Sequence, residues 1–121
     1  FERAWYIAQE ILKIIRQYNP INILMEDLAF GSMGDATRQL GGLQYTIVIL
    51  VRKELKKEIK LVPPTTLKKF ATGKGNSKKD EMYNHLPEHI KTLLKEKNFK
   101  KTKGLSDVVD AYWLAQYGTE K

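Results

Sequence analysis

The sequence predicts an α/β layered fold in a single domain. Two observations carry that expectation. Runs of helical period alternate with two short, strongly apolar runs of strand character. The chain has 121 residues, 42% of them hydrophobic, which is enough to enclose one core and too apolar for disorder over most of its length.

The elements follow in order. Ala4, Ile7, Ala8, Ile11, Leu12 and Ile15 recur at helical spacing, and Asn19-Pro20 ends that helix near Tyr18. Ile21-Asn-Ile-Leu-Met-Glu-Asp-Leu-Ala-Phe is nearly continuous in apolar residues, as a buried central strand is. Residues 31–34 form a loop. Asp35 is placed as the N-cap of a long helix over 36–57, with Leu40, Leu43, Ile47, Leu50 and Val51 on one face. The β-branched cluster Ile47-Val48-Ile49 leaves a strand open there as an alternative. Glu58-Ile-Lys-Leu-Val alternates as a short strand, stopped by Pro63-Pro64. A short helix over 65–70 precedes the loop Gly73-Lys-Gly-Asn. Ser77 and Asp80 have the spacing of a capping box for the next helix, which Pro87 interrupts or divides. Residues 95–103 are a lysine-heavy connector. Ser106 is placed as the cap of the last helix and Gly118 as its end.

Charge narrows the function. The formal net charge is +7 and the pI about 9.5, a balance that points to a polyanion, nucleic acid first and an anionic membrane second. A lysine-rich surface kept for solubility is the bland alternative. There is no cysteine, which excludes disulfides and thiolate metal sites and fits a reducing compartment. No run is long and apolar enough to span a membrane, and no signal peptide is visible. The chain opens at Phe1 inside a helical pattern, so a segment cut from a longer parent is expected.

Chemistry concentrates in Leu105-Ser-Asp-Val-Val-Asp-Ala-Tyr-Trp-Leu-Ala. Asp107 and Asp110 lie three residues apart, on one side of a helix and among apolar neighbours. Helix-dipole stabilisation accounts for one acid in the first turn. It accounts less well for Asp110, because Val109, Ala111 and Tyr112 read as buried and a buried charge calls for a counter-ion. Glu26 interrupts an apolar strand near its C-terminal end, where α/β sheets carry functional groups, and Asp27 turns to the other face. Acids on separate elements suit phosphodiester hydrolysis, in which two magnesium ions about 4 Å apart activate water and stabilise the leaving oxygen. Lys68, Lys69, Lys74, Lys78 and Lys79, with Lys95, Lys97, Lys100, Lys101 and Lys103, would grip phosphates without reading sequence. His85-Leu-Pro-Glu-His89 matches an H-x-x-E-H zinc pattern only formally, since Pro87 falls between the histidines. Gly73-Lys-Gly-Asn lacks the spacing of a P-loop.

Three ordered blocks resemble the RuvC family of Holliday-junction resolvases. Leu24-Met-Glu-Asp-Leu-Ala-Phe, with Asp35-Ala and Leu40-Gly, is similar to the family's second acidic strand and the helix after it. Thr66-Leu-Lys-Lys-Phe-Ala-Thr-Gly-Lys-Gly-Asn-Ser-Lys-Lys is similar to its V-K-x-x-V-x-G-x-G-x-x-x-K segment. The Asp107–Asp110 segment is similar to its final D-x-x-D-A helix. The resemblance implies a ribonuclease H-like mixed sheet flanked by helices, with residues 1–121 forming the C-terminal part of one nuclease domain. It implies Glu26, Asp107 and Asp110 as catalytic acids and metal ligands, and magnesium as the cofactor, two ions per site with manganese able to substitute. Lys68 and Lys79 match lysines that the family places near the DNA or the scissile phosphate, and Lys69, Lys74 and Lys78 are expected on DNA with them. Phe30 falls one place later than the family's junction-probing aromatic.

The implied substrate is a four-way DNA junction, cut by a homodimer in the cytoplasm of a bacterial or phage-infected cell during recombination and repair. The family's opening strand, with its first catalytic aspartate, and the two strands after it have no counterpart among these residues. That departure keeps two alternatives open: a junction-binding module without activity, and a related nuclease acting on RNA or other branched DNA.

Overall fold

The computed structural model describes residues 2–27, 35–97, 99 and 104–120, with the backbone alone over 35–40. The element order is α1 (Glu2–Tyr18), β1 (Ile23–Glu26), α2 (Asp35–Leu55), β2 (Ile59–Val62), α3 (Pro64–Thr72), α4 (Lys79–Asn84), α5 (Glu88–Glu96) and α6 (Leu105–Glu120). β1 and β2 pair as a two-stranded parallel sheet, as a strand–helix–strand crossover requires. The chain divides into two compact units, Phe1–Leu61 and Val62–Lys121. Among the described residues, no helix is long and apolar enough to cross a membrane.

The first unit is built on α1 against α2. Ala8, Leu12 and Ile15 form one stripe of α1, and they meet Ile47, Leu50 and Val51 of α2, with Ile23, Met25 and Ile59 of the strands packed against them. The Ile47-Val48-Ile49 cluster is helical. A strand would turn Ile47 and Ile49 to the same face, yet Ile47 is 4% exposed and Ile49 58%. Packing on α1 overrides the β preference of the branched side chains. Lys57 donates from Nζ to the Pro20 carbonyl at 3.1 Å, tying the entry to β2 to the exit from α1.

In the second unit, Leu67 and Ala71 of α3, Met82 of α4, Leu86, Leu94 of α5 and Val109 of α6 are buried. α3, α4 and α6 pack pairwise. Pro64 opens α3, where a missing N–H removes nothing. Pro87 divides what would be one helix: it precedes α5, and its carbonyl accepts from the Ile90 and Lys91 N–H groups.

Three helices end alike. The residue after the helix takes a left-handed conformation and donates its N–H to the carbonyl four residues back. Asn19 (φ 44) donates to Ile15, Lys56 (φ 52) to Arg52, and Gly73 (φ 89) to Lys69. Asn and Gly take that region readily, whereas Lys56 does so at an energetic cost.

Several sequence expectations need correction. β1 begins at Ile23; Ile21 is 97% exposed and outside the strand. Burial along β2 does not alternate cleanly, since Lys60 and Leu61 are both exposed. Ser77 does not cap α4: the Lys78 N–H donates to Glu81 Oε1 at 3.4 Å, while Ser77 turns inward. α6 begins one residue before the expected cap Ser106, and it continues past Gly118 to Glu120. Lys95 lies in α5 rather than in a connector. The strand's continuation over 28–30, the loop over 31–34, the Asp35 side chain, Lys100, Lys101 and Lys103 lie outside the described residues.

Replacing Lys56 by glycine removes the left-handed penalty at the end of α2, against the entropy that glycine adds to the unfolded chain. The variant should gain about 1 kcal/mol in denaturant unfolding; a loss of stability would refute the assignment of strain to this position.

Candidate active site

The site begins at a glycine. Gly104 adopts φ +78, a turn that a residue with a side chain makes only under strain, and its carbonyl accepts the Val108 N–H at 3.1 Å. That turn launches α6 with Asp107 in its first turn, where the helix dipole favours negative charge. Asp107 is exposed. Asp110, one turn further on, is half-buried beside the fully buried Val109. Ala111, expected to be buried, is exposed, and Tyr112 is half-buried, so the apolar surroundings of Asp110 come from other elements.

Those elements are α3 and α4. Asp110, Trp113 and Tyr117 lie on one face of α6. Phe70 of α3 meets the Trp113 and Tyr117 rings edge-on, at centroid distances of 6.2 and 5.3 Å. Trp113 Nε1 donates to the Met82 carbonyl of α4 at 3.1 Å. The same contacts bring Lys68, two residues before Phe70, and Lys79, at the start of α4, into the electrostatic neighbourhood of Asp110.

Burial pushes the Asp110 carboxyl above its ordinary value, and the Asp107 charge pushes it the same way. The Lys68 and Lys79 ammonium groups pull it back without cancelling the shift. Asp110 is thus held closer to neutrality than a free carboxylate would be, with cations on its flanks.

The loop between α3 and α4 is fixed from inside. Thr72 Oγ1 accepts the Lys74 N–H at 3.2 Å, Ser77 Oγ donates to the Lys74 carbonyl at 2.7 Å, and the two hydroxyls hydrogen-bond to each other. Ser77 is 3% exposed, so its hydroxyl serves the loop and not solvent or DNA. This arrangement leaves Lys69, Lys74, Lys78 and Lys79 exposed along one segment. Lys74 pairs with Glu81 at 3.5 Å while its own side chain stays 69% exposed, an ion pair of small net worth.

Of the residues singled out in the sequence, the second unit brings together Asp107, Asp110, Lys68 and Lys79. Glu26 belongs to the first unit, half-buried at the C-terminal end of β1, with Asp27 just beyond the strand. Phe30 lies outside the described residues. Within either unit, among the described residues, no three His, Cys, Asp or Glu side chains gather closely enough to hold a metal. His85 closes α4, with Nδ1 2.9 Å from the Glu81 carbonyl oxygen, and His89 sits beyond Pro87 in α5. Sequence reasoning missed the positioning residues Thr72 and Trp113, and it assigned Ser77 to a helix cap instead of the loop. Of the two missed, Trp113 carried a signal, its spacing of three from Asp110.

The native state holds the Asp110 proton more tightly than the unfolded chain does. Asp110 therefore contributes stability below its ordinary value of 3.8, and that contribution is lost as pH rises through the higher folded value. In metal-free buffer, Asp110→Asn should melt above the wild type at pH 7, with the difference vanishing near pH 3. A lower melting point at pH 7 would mean that the charged form is net stabilised.

No protein-family model matches the chain. It is 28% identical over 109 residues to the crossover junction endodeoxyribonuclease RuvC of Dictyoglomus turgidum, covering 90% of this chain and 64% of that protein. The chain thus spans slightly less than two thirds of the length of the curated relative it matches. Its fold is that of the Thermus thermophilus RuvC structure, with a TM-score of 0.68 and 18% identity, covering 98% of this chain and 70% of that one. The chain thus shares its fold with one RuvC protein and, over nine-tenths of its length, a distant sequence likeness with another.

Proposed function

We propose that the chain belongs to the nuclease domain of a structure-specific endonuclease that cuts four-way DNA junctions by metal-dependent phosphodiester hydrolysis, in recombination and repair. The observation that carries this reading is the half-buried Asp110 carboxylate, next to Asp107 and flanked by Lys68 and Lys79. A purely structural carboxylate has no need of a second acid that raises its pKa. A divalent cation would relieve both the burial and the repulsion.

The donor chemistry fits magnesium, which takes hard oxygen ligands and is commonly held by one or two carboxylates, with waters and substrate phosphates completing its shell. Asp107 and Asp110 would hold it, and Glu26, at the end of β1, is proposed as a further ligand. The full site in this reading takes two ions, with manganese able to substitute. Bound there, the metal would supply Lewis-acid polarisation of the phosphate and a water acidic enough to act as nucleophile near neutral pH.

The chain's own residues do the rest. Lys68 and Lys79 orient the phosphate and offset its charge as the pentavalent arrangement develops. Lys69, Lys74 and Lys78 hold the flanking backbone and contribute affinity that carries no sequence information. The half-burial of Asp110 limits water near that carboxylate and strengthens its electrostatic interactions. Action as a homodimer suits a substrate that needs two symmetric nicks. In α2, Ile47, Leu50 and Val51 are core, whereas Tyr45 and Ile49, one turn apart, are 66% and 58% exposed; that outward face supports a contact between copies.

In the full-length protein, Asp107→Asn or Glu26→Gln should leave junction binding intact and slow cutting by at least about 100-fold, the scale of losing one group that stabilises a transition state. Gel-shift and strand-cleavage assays on the same junction measure both. Wild-type cutting by either variant would overturn the assignment. Cutting independent of magnesium would overturn the metal chemistry, and magnesium-dependent junction binding with no cutting would favour a binding module.

A further inference from the structure

A cavity of 610 Å³ opens between α4, the end of α5 and the start of α6, within the second unit. It lies outside the carboxylate pair but shares Lys79 with it: that lysine lines the cavity and also acts electrostatically on Asp110. Buried Val109 forms part of the apolar wall, and Tyr83 and Phe99 add aromatic surface. Asn84 and Asp80 supply an amide and a carboxylate. Lys79 and Tyr83 stand four residues apart on α4, so a single turn presents a cation and a ring side by side. The Tyr83 ring is held in place by Lys91, whose Nζ is 5.8 Å from the ring centroid and 3.5 Å from Glu88 Oε1.

We infer that this cavity receives one unpaired nucleobase of a DNA strand, with the adjoining phosphate on Lys79. The inference rests on the reading of the chain as a DNA nuclease and adds a base subsite to it. The volume lies in the range of small-ligand sites. A base has two apolar faces and a polar edge. Tyr83 and Phe99 offer rings for the faces, and Asn84 and Asp80 offer donors and acceptors for the edge. Charge separates this occupant from an apolar peptide side chain, because the two lysines that line the cavity, Lys79 and Lys95, suit a phosphate and have no use for a hydrocarbon. The shared Lys79 also sets the register: a phosphate held there places its own base in the cavity and brings the strand beside Asp107 and Asp110. In a strand opened near a junction, such a subsite would fix which phosphate is presented.

The test is a titration of the full chain, without divalent metal, by a short 5′-phosphorylated single strand and by the same strand with one abasic position next to the phosphate. The wild type should bind the intact strand at least about fivefold more tightly, the lower end of what stacking one base on an aromatic ring contributes. Tyr83→Ala should remove that preference and Tyr83→Phe should keep it. Asn84→Ala, at an exposed position, should reduce it, and it decides the matter if Tyr83→Ala does not fold. Equal binding of the two strands by the wild type, or an undiminished preference in both alanine variants, overturns the inference.

Junction cutting by the full-length protein is scored separately. Cutting without base preference overturns the cavity assignment alone. Base preference without cutting supports the cavity and overturns the nuclease reading.

Discussion

A carboxylate half-removed from water, with a second carboxylate beside it and two ammonium groups around it, is an unstable arrangement unless the scaffold enforces it. Asp110 is held that way by what stands on its own helix face. Trp113 and Tyr117 take the edge of Phe70, which brings α3 and Lys68 alongside, and the Trp113 indole reaches the Met82 carbonyl, which brings α4 and Lys79. Burial raises the Asp110 pKa, and the cations that partly lower it stand on the two helices that these aromatic and indole contacts hold against α6. Stability and electrostatic tuning come from the same few side chains, so loosening either helix against α6 changes both.

The loop between α3 and α4 extends that logic. Its lysines face outward because its hydroxyls face inward: Thr72 and Ser77 satisfy each other and the Lys74 backbone, and Gly73 makes the left-handed turn that ends α3. A basic segment held this way keeps its charges in one place before any phosphate arrives, which lowers the entropy lost on binding. The first unit works on a different principle. Its α1–α2 core is apolar throughout, and it delivers Glu26 at the carboxyl end of β1, a strand that is half-buried and not the fully buried one its apolar run suggests; that end of an α/β sheet is where ligands gather.

Much of this was legible in the residues. Helical spacing placed α1, and prolines at 20, 63–64 and 87 marked three boundaries that the structure keeps. The spacing of Asp107 and Asp110, with Glu26 at a strand end, singled out the acids before any coordinate. The failures share a physical cause. Ser77 has the sequence of a cap, yet a hydroxyl takes whichever partner the folded loop offers, and here that was Thr72 and Lys74. Gly118 has the look of a stop, but a glycine inside a helix costs only about 1 kcal/mol, and packing at Trp113 and Tyr117 carries α6 through it. The cavity beside Lys79 had no sequence signature, because its walls come from three helices whose juxtaposition only the fold creates.

The central claim is that Asp107 and Asp110 form a cation-binding carboxylate pair. Paramagnetic broadening by manganese, read residue by residue in the NMR spectrum of the chain, tests it directly. Broadening should centre on the opening turns of α6, spread to Lys68 and Lys79, and disappear in Asp110→Asn. Broadening centred on the exposed His85 and Glu88 region, or unchanged by Asp110→Asn, would contradict it.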